Sequence, residues 1–165
     1  MELVDNWLER YGEGAIYLIP ALAFAESCIG LGIFISGAFL LLLCSVLYSN
    51  GLAGTDSIML LACLGAIVGD HLGFYCGVLL GPGFHHSEWA IKYQDKLGKA
   101  ENLIRRYGAF AIFIGRFVPA VRSIIPALVG ISGFDRKRYS LLDMGACVLW
   151  AAALALIVRG IDFAL

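Results

Sequence analysis

The chain has 165 residues, of which 60% are hydrophobic and 15% charged, with a net charge of −1 and a mean hydropathy of +0.82. A soluble domain carries about 25% charged residues, so the composition excludes an ordinary soluble domain and indicates one integral membrane domain over residues 1–165. The first turn, Met1-Glu2-Leu3-Val4-Asp5, is acidic where a cleavable signal is positive, and the five cysteines lie in apolar stretches with no CxxC pair, as small core residues do.

Residues 1–13 place Leu3, Val4, Trp7, Leu8 and Tyr11 at helical spacing opposite Glu2, Asp5, Glu9 and Arg10, which predicts a short interfacial helix. Residues 15–48 are apolar apart from Glu26 and a few small polar groups. That run is too long for one span and too short for two with a turn, since a span needs about 20 residues. A re-entrant hairpin broken near Glu26, with a second arm from about Ile33 to Leu47, fits it. Asn50-Gly51 marks a loop over 49–56, with Thr55 or Asp56 as cap for the next helix. Residues 57–80 predict a spanning helix, and Gly65, Gly69, Gly73 and Gly77 share one face of it, a small-residue seam for close packing. The seam packs either within the protomer or between protomers, so a homo-oligomer is among the arrangements it allows. Asp70 lies beside it and should face protein.

Residues 82–107 interleave charge with Trp89, Ile91, Tyr93, Leu97 and Leu103, as an amphipathic surface helix does. His85-His86 with Glu88 reads as solvated loop rather than a metal site, because adjacent histidines share a metal poorly. The run from Ala109 to Ile131 is apolar except for the stretch Gly115-Arg116-Phe117-Val118-Pro119-Ala120-Val121-Arg122-Ser123, with Pro126 following. Arginine in mid-bilayer faces protein or a wet cavity, and prolines break the helical ladder. The freed backbone groups must then be buried in protein or line a cavity, which predicts a second half-membrane hairpin. Residues 134–138 form a basic loop, and 139–161 a second spanning helix with Asp143, Gly145-Ala146 and Trp150, ended by Arg159.

Shifted by 96, the chain matches itself. Arg10-Tyr11-Gly12 falls on Arg106-Tyr107-Gly108, Ser27 on Ser123 and Ile35-Ser36-Gly37 on Ile131-Ser132-Gly133, 10 identities in the 28 positions from 10 to 37. The fold expected is therefore an all-α polytopic membrane protein of two repeats, about 1–81 and 82–165, each an interfacial helix, a re-entrant hairpin and a spanning helix. One crossing per unit makes the repeats inverted, a transporter arrangement. In the same alignment Glu26 falls on Arg122, so the two breaks carry opposite charges. Lysines and arginines at 92, 96, 99, 105, 106 and 136–138 fall on one side, against Arg10 and Arg159 on the other. That bias puts the basic loops in the cytoplasm and both termini outside.

Phe24-Ala25-Glu26-Ser27, Ile35-Ser36-Gly37, Val68-Gly69-Asp70-His71-Leu72-Gly73-Phe74-Tyr75, Gly115-Arg116-Phe117-Val118-Pro119-Ala120-Val121-Arg122, Gly130 and Gly145-x4-Trp150 resemble the DedA family, within the wider VTT (SNARE-associated) group. The resemblance runs from about residue 14 to 158. It implies a bacterial or archaeal inner-membrane protein with two facing re-entrant hairpins that moves lipid headgroups across the bilayer. The bacterial branch is tied to recycling undecaprenyl phosphate and to the proton-motive force, and eukaryotic relatives scramble phospholipids. The family's charged positions map onto Glu26, Asp70, Arg116 and Arg122. The chain departs from it at Ser36-Gly37, where many members have Pro-Gly, and at Ala38-Phe39, where many carry a further acidic residue.

The expected function is transport of an anionic lipid phosphate of the undecaprenyl phosphate type, coupled to protons. Arg116, Arg122 and Ser123, the last at a broken-helix N-terminus, would bind the phosphate, and Glu26 and Asp70 would carry protons. His71 is read as a packing or interface residue, and Arg136-Lys137-Arg138 as a determinant of topology that touches anionic lipid. The expected partners are membrane lipids and protons, with no nucleic acid, cofactor or metal. A passive phospholipid scramblase and a membrane lipid phosphatase are the alternatives. For the phosphatase, the sequence offers no phosphate-loop cysteine, Ser-His pairing or clustered metal ligands.

Overall fold

The structure, a computed structural model, describes residues 14–28, 31–33, 37–81, 88–92, 94–118 and 121–164. The interfacial helix expected over 1–13, the motif residues Ile35 and Ser36, the His85-His86 pair, and Pro119 and Ala120 lie outside the described residues, as do the side chains of Trp89 and Tyr93.

All regular structure among the described residues is helical. In chain order it is α1 (Leu18–Ser27), α2 (Gly37–Ser49), α3 (Thr55–Leu80), α4 (Glu88–Lys92), α5 (Gln94–Tyr107), α6 (Ala111–Arg116), α7 (Ile125–Ile131) and α8 (Arg136–Ala164), with single 3-10 turns at Leu31–Ile33 and Gly108–Phe110. Only α3 and α8 are long and apolar enough to cross a bilayer among the described residues. At 1.5 Å per residue the 26 residues of α3 extend about 39 Å, beyond the hydrocarbon thickness of about 30 Å. The 10 residues of α1 reach only about 15 Å.

The glycine seam sets the architecture. A Cβ at Gly65 would strike the backbone of Pro20, and one at Gly69 would lie 2.8 Å from Phe24 O and from Ser27 Cβ. Gly73 faces Pro126, and a Cβ at Gly77 would strike the Ala127 backbone. The seam is therefore filled within the protomer, and α1 and α7 lie end to end along α3, both parallel to it. Gly130 answers from α7, where a Cβ would run into Phe74 O.

Each short pair folds back on itself. Ala15 and Ile19 at the start of the α1–α2 pair share a cluster with Leu47 at its end and with Ala53 and Ile58 at the start of α3. The α6–α7 pair closes the other end, where Ile112, Ile125, Leu128 and Phe134 pack with Tyr139 of α8 and with Leu97 and Ala100 of α5. In each half, the first arm packs on its own long helix (α1 on α3, α6 on α8) and the second arm on the long helix of the other half (α2 on α8, α7 on α3). Phe74 and Tyr139 stack with ring centroids 4.0 Å apart, joining α3 to α8. Such a pair adds about 0.5–1.5 kcal/mol beyond its area burial.

Three expected boundaries are corrected. The basic triplet 136–138 is the first turn of α8 rather than a loop, because Asp135 Oδ1 accepts the Arg138 N–H at 2.9 Å and caps it. Arg159 does not end that helix, which runs to Ala164. The cap of α3 is Gly54, with no side-chain hydrogen bond from Thr55 or Asp56. The surface segment is as amphipathic as expected: Leu97 and Ala100 of α5 are buried, while Lys99, Arg105 and Arg106 are exposed.

Candidate functional site

The tips of the two short pairs meet beside the middle of α3, and buried charge gathers there. Glu26, Asp70, Arg116, Arg122 and Asp143 are each at most 9% exposed. Charge this deep persists only when paired and hydrogen-bonded, and the pairing divides it into two clusters.

The first cluster joins the two halves. Arg122 Nη1 donates to Glu26 Oε1, and Arg122 Nη2 donates to Ser27 Oγ at 3.4 Å. Glu26 lies in the last turn of α1 and Arg122 in the turn before α7, so the residues aligned by the 96-residue shift are in contact. Gly37 opens α2 against the Glu26 carboxylate, where a side chain would overlap it.

The second cluster joins α3, α6 and α8. Arg116, the last residue of α6, donates from Nη1 to Asp70 Oδ2, and the same nitrogen lies 3.9 Å from Asp143 Oδ1. Asp143 Oδ2 lies 3.2 Å from His71 Nδ1. His71 Nδ1 also reaches the Ile67 carbonyl at 3.0 Å, and Nε2 meets Ser140 Oγ at 3.0 Å. A carbonyl only accepts, so Nδ1 carries a proton. Cys147 Sγ lies 3.8 Å from an oxygen of both Asp70 and Asp143, and Tyr139 donates its hydroxyl to Asp70 O at 3.3 Å.

Trp150 stands between the clusters, its ring centroid 5.1 Å from the Arg116 guanidinium carbon and 4.7 Å from that of Arg122. Each contact is within cation–π range and contributes about 0.5–2 kcal/mol. A cavity of about 360 Å³ opens here, with Glu26, Arg116 and Arg122 on its polar side and Leu41, Trp150 and Leu154 among its apolar walls. A second hollow of about 410 Å³ shares Ala38 and Leu41 with it and runs between α2 and α8 to Ser49 and Asp162. Among the described residues, Arg116 Nε and Nη2 and Glu26 Oε2 are buried without a hydrogen-bond partner. On a guanidinium, Nε–H and Nη2–H form one fork, the edge that takes a carboxylate or phosphate bidentately.

Of the expected site residues, Glu26, Arg116 and Arg122 line the cavity, and Asp70 is held behind Arg116. Ser123 is buried but packs toward Gly32 and does not line the cavity. The seven-residue α7 begins at Ile125, beyond it. His71 does more than pack, since it pairs with Asp143. Asp143, Cys147 and Trp150 belong to the site although the sequence reading gave them no role in binding. The signal for them was the spacing of Tyr139, Asp143, Cys147 and Trp150 on one face of α8.

Asp70, Asp143 and Cys147 present ligand atoms within 4.8 Å of one another, close enough for a metal ion. Arg116 already supplies a cation to both carboxylates, so the cluster reads as an ion-pair network.

A family model described as the VTT domain matches residues 34–160. A membrane protein of Synechocystis, slr0232, is 29% identical over 154 residues, covering 92% of this chain and 68% of its own length. The inner membrane protein YqjA of Escherichia coli is 27% identical over 143 residues, covering 86% and 65%. Escherichia coli YabI, also an inner membrane protein, is 22% identical over 148 residues, covering 90% and 58%. The chain thus spans between just over half and two thirds of the length of such relatives. No solved structure matches it.

Proposed function

The chain belongs to the VTT domain family, of which the DedA proteins its motifs resemble are a branch, and we propose that it carries an anionic lipid phosphate across the membrane. It is a multi-pass protein of the plasma (inner) membrane, like the relatives it matches. In this reading α1–α2 and α6–α7 are re-entrant hairpins entering from opposite faces, and the two halves are inverted repeats. The swapped packing of first and second arms supports it, as does the contact between Glu26 and Arg122 at the repeat offset of 96 residues.

The observation that carries the proposal is the unpartnered Nε/Nη2 fork of Arg116 in a residue that lines a cavity of about 360 Å³. Buried donors of this kind cost about 1–3 kcal/mol each when left unmade. Two oxygens of one phosphate satisfy both. Asp70 holds Arg116 by Nη1 and fixes the direction of the fork. Trp150 faces both guanidinium groups and keeps them from solvent. Arg122, tied to Glu26, adds positive potential beside the bound group, and Glu26 can release it when the phosphate arrives. The apolar groove between α2 and α8 leaves space for the lipid tail. Glu26 and Asp70 remain the proton-coupling candidates of this reading, and protons and membrane lipids its partners.

The test is transbilayer movement in proteoliposomes of labelled polyprenyl phosphate against labelled phospholipid, with and without a pH gradient, for the wild type and Arg116→Lys. Lysine keeps the charge facing Asp70 but lacks the fork. The expected result is gradient-dependent movement of the phosphate and, in a monodisperse Arg116→Lys, a loss of about tenfold or more, because hydrogen bonds to charged groups are worth about 1.5–3 kcal/mol. Equal movement of both lipids without a gradient would make the protein a scramblase. Release of inorganic phosphate would make it a phosphatase.

A further inference from the structure

The two clusters differ in charge balance. Arg122 meets one carboxylate, Glu26, and the pair is neutral. Arg116 meets two, Asp70 and Asp143, which are 2% and 1% exposed. With all three ionised, that cluster would keep one uncompensated negative charge in the interior, a cost of several kcal/mol. A proton removes it. The groups facing Asp143 limit where that proton can reside. From α3 they are Asp70, His71 and, beside Cys147, Cys63. From α6 there is Arg116, and from α8 itself Tyr139 and Cys147. Arg122 and Glu26 neutralise each other, and Arg116 is the member of this cluster that they face across the shared cavity. The residues of α7, Ile125–Ile131, include no titratable side chain.

We propose that Asp143 and His71 together form a single-proton site, and that His71 is where it exchanges protons with water. The geometry gives each atom a task. Asp143 Oδ2 and His71 Nδ1, 3.2 Å apart, share the proton. His71 Nε2 faces Ser140 Oγ at 3.0 Å, and the His71 side chain is 23% exposed against 2% for that of Asp143. A proton accepted at Nε2 makes the ring cationic and neutralises Asp143. Its departure leaves the ring neutral, with Nδ1 still protonated toward Ile67 O and Asp143 and with Ser140 donating to Nε2. Ser140 lies one turn into α8 from the basic triplet 136–138, nearer the end of that helix opposite the one where the groove reaches Asp162. The role of this proton in coupling rests on the transport reading. The site itself rests on the charge count and the distances.

The test reads proton occupancy directly. The chain has three histidines, so 15N-labelled imidazoles can be assigned by His71→Gln in protein reconstituted in nanodiscs. Titrated between about pH 5 and pH 9, the His71 signals should follow a midpoint that Asp143→Asn displaces by about one unit or more and Glu26→Gln leaves in place. Equal midpoints for His71 in the wild type and in Asp143→Asn would overturn the proposal. If Asp143→Asn does not fold, infrared difference spectra of His71→Gln decide. There the proton moves to Asp143, and a carbonyl stretch of protonated carboxyl must appear that the wild type lacks at the same pH. Its absence would also overturn the proposal. A proteoliposome that moves no lipid while His71 and Asp143 remain coupled would remove the transport reading and leave the proton site standing.

Discussion

The cluster at Glu26–Arg122 and the cluster at Asp70–Arg116–Asp143–His71 use the same chemistry for different ends. Both bury arginine against carboxylate, and both arginines face Trp150. The first is a one-to-one pair that joins α1 to the turn before α7, supported by Ser27 and roofed by Gly37, with Glu26 Oε2 left without a partner among the described residues. The second is two-to-one, reaches a half-buried histidine, and leaves one fork of its arginine unpartnered among the described residues. A balanced pair fixes position, whereas a cluster with an excess carboxylate must take up a proton, here on its histidine side. The second cluster is therefore the more responsive of the two, and the first ties α1 to the turn before α7 beside it.

The largest effect that would break this contrast lies in the balanced pair. Arg122→Ala leaves Glu26 buried without a counter-charge and should cost about 3–5 kcal/mol, measured by thermal or chemical unfolding in detergent. The double variant Glu26→Gln/Arg122→Gln removes both charges and should recover most of that loss. If the double variant is as unstable as the single one, the pair is not the fastening inferred here.

The second expected effect is smaller, because the unbalanced cluster has a spare carboxylate. Asp143→Asn converts it to one-to-one and should cost less stability than Glu26→Gln, which strands Arg122. Asp70→Asn should fall between them. Its amide oxygen can still accept from Arg116 Nη1, but the substitution removes the charge that strengthens that bond, while Asp143 Oδ1 at 3.9 Å remains as a counter-charge. The reverse order of stabilities for Asp143→Asn and Glu26→Gln would show that the clusters do not differ as the charge count requires.

Much of this arrangement is legible in the sequence. The two long helices follow from apolar length alone, and the 96-residue repeat placed Glu26 opposite Arg122, which are in contact. The partners of Asp70 were not legible, because Arg116 and Asp143 come from other elements and pairing between elements leaves no periodic trace in sequence. Helix ends were misplaced for local reasons: Asp135 caps α8 earlier than the apolar run begins, and Arg159 with Gly160 does not stop it. The seam of Gly65, Gly69, Gly73 and Gly77 showed that something approaches α3 closely. Small residues accept a neighbour from the same chain or from another copy equally well, so only the contacts with Pro20, Phe24, Pro126 and Ala127 identify it as the chain's own α1 and α7.

That seam also separates the clusters by degree, and two of its glycines give the finest test. A Cβ at Gly69 would lie 2.8 Å from Phe24 O and Ser27 Cβ, and backbone cannot step aside as a flexible side chain can. Gly69→Ala should push Ser27 away from Arg122, costing about 1–3 kcal/mol as overpacking does, and should disturb the balanced pair while leaving His71 titration unchanged. At Gly73 the nearest atom is Pro126 Cβ at 3.4 Å, an ordinary contact. Gly73→Ala therefore loses nothing by crowding, and the lower backbone entropy of alanine favours the helix by about 0.5–1 kcal/mol. Paired melts of the two variants should separate them by at least about 1 kcal/mol, with Gly73→Ala at or above the wild type. Equal melts would mean that α1 does not press on Gly69 as closely as these contacts require, and the balanced pair would then owe its position to the charges alone.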